Sequence, residues 1–86
     1  MIEVEYYSAV WCGPCKAMKI VVENLKAKGW NITKIDVDQE KDRASAANIM
    51  AVPTMIIKKD GVPVRRIQGA RQEMALEAEF RLAQGS

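Results

Sequence analysis

From Ile2 to Tyr7, β-branched and aromatic residues alternate with Glu3 and Glu5, the two-residue period of a half-buried strand. The period then lengthens. Met18, Val21, Val22 and Leu25 recur at helical spacing behind Pro14, which suits a first helical turn because no N–H is needed there. Gly29 sits where a C-terminal cap belongs. Ile32 to Val37 predicts a second strand, closed by the polar run Asp38-Gln39-Glu40. A short helix over about Glu40 to Asn48 follows, with the small residues Ala44 and Ala47 on its inner face. Thr54 to Lys58 and Val62 to Ile67 predict two strands joined at Asp60-Gly61, a tight-turn signal because the turn needs positive φ. Pro63 cannot donate to a central ladder, so the last strand belongs at a sheet edge. Gly69 ends it, and Arg71 to Ala83 predicts a closing helix with Leu76 and Phe80 on one face.

The order β-α-β-α-β-β-α makes the first two strands parallel through a right-handed crossover and the last two an antiparallel hairpin. A mixed four-stranded sheet with helices on both faces is the expected packing of this α/β chain. Eighty-six residues hold one domain, residues 1–86, which buries roughly 60–65% of its unfolded surface. There is no internal repeat and no Pro/Gly/Ser linker. Met1-Ile2-Glu3-Val4-Glu5 lacks the basic and apolar regions of a secretion signal, and no apolar run approaches a membrane span, so a cytoplasmic location is expected.

The charge balance and the missing residue types narrow the chemistry. A formal charge of +2 is too small to imply nucleic acid or membrane as an obligatory partner. His is absent, which excludes His acid–base chemistry, a Ser-His-Asp triad and a His-bound metal. The two Cys cannot complete a four-ligand structural zinc site within one chain. They fall together in Trp11-Cys12-Gly13-Pro14-Cys15-Lys16, at the junction of first strand and first helix. A disulfide closing so small a loop stabilises by about 2 kcal/mol, against about 4.7 for a 100-residue loop, so it suits a switch better than a clamp. Cys12 precedes the first helical turn, where free N–H groups and the helix dipole favour the thiolate, the attacking species. Cys15, one turn into the helix, is placed to attack a mixed disulfide formed on Cys12. Pro14 stiffens the connecting loop, and Gly13 lets a partner chain approach.

These residues resemble the active-site motif of the thioredoxin family. Lys34-Ile35-Asp36-Val37-Asp38 resembles that family's strand after the active-site helix. Val52-Pro53-Thr54 resembles its cis-proline loop, and Asp60-Gly61 through Gly69-Ala70 its terminal hairpin and following glycine. The resemblance runs from about residue 2 to 83 and lacks only the family's N-terminal strand and helix. It implies a minimal thioredoxin fold of glutaredoxin-like size, with strand order 2-1-3-4 and three helices. It further implies that Cys12 is the exposed nucleophile and Cys15 the buried resolving thiol. Trp11, Val52, Pro53, Gly69 and Ala70 would receive substrate, with Pro53 cis and the Val52 backbone pairing with an extended substrate segment. Gly13, Pro14, Lys16, Lys34 and Tyr6 would support the site.

Two positions depart from the family. A buried Asp that helps move the proton of the resolving thiol is Tyr6 here, so Lys34, which pairs with that Asp, is expected to lack its partner. Ser8 stands where the family usually carries a Trp. Tyr6 also fits plain core packing, and Lys34 a solvated strand residue. The function implied is reduction of protein disulfides by a monomer. It needs no cofactor beyond the Cys12–Cys15 pair, takes electrons from a thioredoxin reductase, and has ribonucleotide reductase among its targets. Two other readings fit the pattern less well. A glutathione-dependent, glutaredoxin-like enzyme usually has Pro-Tyr between its cysteines, and a redox-silent module would use the fold for docking alone.

Overall fold

The computed structural model describes residues 1–85. Its elements are β1 (Ile2–Ser8), α1 (Gly13–Ala27), β2 (Ile32–Asp36), α2 (Lys41–Ala46), β3 (Thr54–Lys59), β4 (Val62–Gln68) and α3 (Glu73–Gly85). They form one four-stranded sheet in the order β2-β1-β3-β4, as expected. β1 runs parallel to β2 and antiparallel to β3, and β4 returns antiparallel to β3.

Strand alternation divides the core between the two sheet faces. Ile2, Val4 and Tyr6 of β1, Met55 and Ile57 of β3, and Ile67 of β4 point to one face. There they pack on Met18, Val22 and Leu25 of α1 and on Leu76, Phe80 and Ala83 of α3. Tyr7, Ile35 and Ile56 point to the other face, where α2 contributes Ala44. The smaller cluster reflects a shorter helix than the predicted Glu40 to Asn48. Asn48 turns left-handed (φ 57°), and the Ile49 N–H closes back on the Ala44 carbonyl at 3.0 Å, ending the helix early.

Local chemistry sets the other boundaries. Gly29 (φ 101°) terminates α1: its N–H reaches the Lys26 carbonyl at 2.9 Å, and the Trp30 N–H reaches the Leu25 carbonyl at 3.2 Å. Trp30 then packs edge-on against Phe80 with ring centroids 5.3 Å apart, and donates its indole N–H to Glu77 at 3.0 Å. The end of α1 is thereby tied to α3. Asp60 and Gly61 both have positive φ (53° and 83°), the primed turn that the hairpin requires. Pro63 lies on the outer strand, and the register shifts between Ile57 and Lys58, leaving Val64 as the extra residue of a bulge. The last helix begins at Glu73, later than the predicted Arg71, because the first helical bond is Leu76 N–H to the Gln72 carbonyl.

Candidate redox-active site

β1 ends at Ser8, at the edge where the sheet meets the mouth of α1. The chain turns with the Cys12 N–H on the Ala9 carbonyl at 3.2 Å. Cys12 is the N-cap of α1, with extended backbone (φ −87°, ψ 113°). Its Sγ accepts the Cys15 N–H at 3.1 Å, satisfying a donor that the first turn leaves open. Cys12 and Cys15 are joined in a disulfide with their Cα atoms 5.2 Å apart. The first turn of α1 carries no acidic side chain of its own to offset the positive end of its dipole near the Cys12 sulfur.

One expectation is corrected here. The resemblance implies an exposed Cys12 and a buried Cys15, but the two are 4% and 6% exposed. As N-cap, Cys12 folds its sulfur toward the Cys15 N–H instead of into solvent. The pair then packs with Ala9 against Val37 and Val52. Access is left over the Gly13 side, where a Cβ would meet nothing within 4 Å. Lys16 follows the pair on an exposed turn of α1.

The surrounding loops converge on the pair from three elements. The Val52–Pro53 peptide is cis, with Val52 half-buried against the cysteines. The Gly69 N–H donates to the Pro53 carbonyl at 2.8 Å, so the Gly69-Ala70 segment is fastened beside that loop. Gly69 holds φ 89°, a conformation that L side chains rarely adopt. The Thr54 hydroxyl bonds the Ala51 carbonyl at 2.6 Å and braces the loop from inside. Trp11 is 67% exposed and donates its indole N–H to Asp38 Oδ2 at 2.7 Å. Asp38 is the residue that sequence reasoning missed as part of the site. The two residues lie 27 positions apart, and the turn after β2 reaches Trp11 only because it lies at the same end of the sheet.

Behind the disulfide, Tyr6 is 2% exposed and donates its hydroxyl to the Cys15 carbonyl at 3.4 Å. Burial pushes the Tyr6 pKa above its ordinary value of 10.0, so the phenol keeps its proton at neutral pH. With Tyr6 in place of the family's Asp, Lys34 meets Glu23 of α1 at 3.7 Å instead. The packing of α1 beside β2 brings that carboxylate across.

Two cysteine sulfurs bonded at a helix mouth, under a cis-proline loop, define a thiol–disulfide oxidoreductase, a carrier whose electrons reside in the dithiol. The comparisons with known proteins name its family. The Thioredoxin family model matches residues 2–81, and the chain belongs to that family. It is 47% identical over 77 residues to a thioredoxin of Mycolicibacterium smegmatis, spanning 84% of this chain and 69% of that protein. A Mycobacterium tuberculosis thioredoxin is 40% identical over 75 residues, with 84% and 65% covered. The chain thus spans about two thirds of the length of these relatives. It is also 39% identical over 71 residues to a bifunctional thioredoxin reductase/thioredoxin of Mycobacterium leprae, covering 79% of this chain and 16% of that protein. Among solved structures, a mutant thioredoxin from Halobacterium salinarum superposes with TM-score 0.88 at 34% identity, covering 93% of this chain and 72% of that one.

Proposed function

We propose that the protein reduces disulfides in other proteins, with Cys12 as nucleophile and Cys15 as resolving thiol. The Cys12 thiolate attacks one sulfur of a target disulfide, and the second target sulfur leaves as a thiolate that takes up a proton. The Cys15 thiol loses its proton and attacks the Cys12 sulfur, which releases the first target sulfur as a thiolate that takes up a second proton. The target gains two electrons and two protons, and the protein is left with the Cys12–Cys15 bond. The observation that carries this reading is the disulfide at the N-terminus of α1, whose Cys12 sulfur accepts the Cys15 N–H at 3.1 Å. That donor and the helix dipole stabilise negative charge on Cys12 when the bond opens.

A target segment would lie extended along the backbone of Val52, between Trp11 on one side and Gly69-Ala70 on the other. Pro53 shapes that edge, and the indole of Trp11, held by Asp38, supplies a flat apolar wall. Lys16 and Pro14 frame the approach over Gly13. The electrons would come from a thioredoxin reductase. The Mycobacterium leprae relative named for both activities supports this pairing, since there the two partners share one chain. Ribonucleotide reductase is among the targets that this chemistry serves. The protein would act as a monomer in the cytoplasm. No helix among the described residues is long and apolar enough to cross a membrane.

Insulin reduction tests the proposal. With dithiothreitol as electron source, catalytic amounts of the protein should accelerate precipitation of the insulin B chain, and Cys12→Ser should abolish the acceleration. Wild-type protein that leaves the turbidity curve of dithiothreitol alone unchanged would refute it.

A further inference from the structure

α2 is six residues long and buries only Ala44, and between it and the β3–β4 hairpin runs an open groove of about 720 Å³. Apolar packing alone therefore does little to fix where the chain leaves this helix. The other cations of the groove are neutralised within the fold: Arg43 and Lys58 pair with Glu5, and Arg65 pairs with Glu79. Arg66 is different. It stands opposite Ile56 on the sheet face that carries α2, and no carboxylate pairs with it among the described residues.

The Arg66 guanidinium crosses to the end of α2, where Nη1 donates to the Asn48 carbonyl at 3.1 Å and Nη2 to the Ala47 carbonyl. Carbonyls at a helix C-terminus lack partners within the helix, and a cationic side chain satisfies them. Two carbonyls on neighbouring residues suit the planar fork of an arginine. Asn48 turns left-handed at this point (φ 57°), so the clamp sits on the residue that redirects the chain. Only Ile49, Met50 and Ala51 separate it from Val52. Met50 and Ala51 are exposed, which leaves Ile49 as the one core contact of that stretch. On the other side of Val52, the Gly69 N–H holds the Pro53 carbonyl at 2.8 Å. Arg66 lies within β4 and Gly69 directly follows it, so one strand grips the loop both before and after Val52.

We propose that Arg66 is a positioning residue for target binding: by fixing the Ala47 and Asn48 carbonyls, it holds the Val52 backbone in the extended path that a target segment pairs with. The inference rests on Val52 being the docking edge of the reductase proposed above. Arg66 acts on the loop and not on the sulfurs, so its contribution appears only with targets that need that edge. A protein disulfide needs it. A small aromatic disulfide, which reaches the sulfurs without backbone pairing, does not.

The test compares wild-type protein with Arg66→Met, Arg66→Lys and Arg43→Met, each checked for folding by circular dichroism. Initial rates of insulin reduction against insulin concentration, with dithiothreitol as donor, separate KM from kcat. In Arg66→Met the KM for insulin should rise about three- to tenfold, because the loop must then be ordered on binding. Its kcat, and its rate with dithiobis-nitrobenzoate, should stay at wild-type values. Arg66→Lys should recover part of the loss, since an ammonium reaches a carbonyl without the planar fork. Arg43→Met cuts the tie of α2 to Glu5 but spares the clamp, and should leave KM unchanged. An unchanged KM in Arg66→Met, or an equal loss toward both substrates, would overturn the proposal. Equal rises in KM for the Arg43 and Arg66 variants would do so too, by showing a general loosening of α2. Nitrogen-relaxation order parameters of Met50, Ala51 and Val52 should drop in Arg66→Met, a readout independent of catalysis. Lowered order parameters alongside an inactive wild type in the insulin assay would sink the reductase reading and keep the clamp. Insulin activity with KM and order parameters indifferent to residue 66 would do the reverse. Should Arg66→Met not fold, Arg66→Lys decides alone, with unchanged KM and order parameters overturning the clamp.

Discussion

Reducing the Cys12–Cys15 bond should lower the melting temperature by a modest, calculable amount. The two cysteines are three positions apart, so opening the bond returns to the unfolded chain the entropy of a very small loop, about 2 kcal/mol. Part of that loss is offset in the reduced form. A Cys12 thiolate at the N-terminus of α1, facing the Cys15 N–H, is stabilised by about 0.3–1 kcal/mol. The net difference is about 1.5 kcal/mol, or roughly 6–12 °C in Tm for a domain of this size. Circular dichroism melts of oxidised protein and of protein kept reduced by a phosphine measure it at pH 7. The sign of the pH effect follows from the thiolate. Its stabilisation of the reduced fold exists only where Cys12 is ionised, so acidification removes it and the gap should widen toward the full loop value. A reduced form melting at or above the oxidised one would refute the reasoning. A gap above about 20 °C would show the bond supporting the fold instead of switching on it.

Two further outcomes follow from the packing. Phe80 is completely buried between Trp30 and the sheet, so Phe80→Ala should cost about 3–5 kcal/mol in urea-induced unfolding, a large share of the total for a chain this short. Glu5 receives hydrogen bonds from Lys58 (3.2 Å), Arg43 (3.3 Å) and the Tyr7 hydroxyl (3.0 Å). Burial acts to raise its pKa, but these donors together outweigh burial and hold it below the ordinary 4.5, while burial and the bond to Glu5 push Tyr7 up to about 12. A carboxylate with a lowered folded pKa stabilises the fold above its unfolded value, and the contribution is lost as pH falls through the folded one. Urea titrations from pH 7 to pH 3 should show Glu5→Gln less stable by about 1–3 kcal/mol at neutral pH, the deficit shrinking in acid. A deficit constant across that range would remove Glu5 from the acid response.

The elements that local rules govern were readable in the chain. Pro14 and Gly29 bracket α1 because a missing N–H and a left-handed residue each fit one end of a helix. Asp60-Gly61 makes its hairpin because the turn needs two positive φ angles. The six-residue α2 was harder to bound. Its apolar pattern is weak, and it ends where Asn48 turns left-handed, a choice that neither Ala44 nor Ala47 signals. Asp38 escaped notice as a site residue because its partner, Trp11, is distant in sequence and meets it only at the end of the sheet.

From its residues alone, this chain specified which atoms carry the chemistry: two cysteines across one helical turn, in a polypeptide without histidine, set behind a strand. Spacing and residue type suffice for that because they act through adjacent backbone. Folding decided the surroundings of those sulfurs. It brought Glu23 to Lys34, turned the Tyr6 hydroxyl onto the Cys15 carbonyl, and sank Cys12 to the depth of Cys15. Each of these depends on where α1 settles across β1 and β2. That position is set by the summed packing of Met18, Val22 and Leu25 on the sheet, a property of the whole core that no local segment contains.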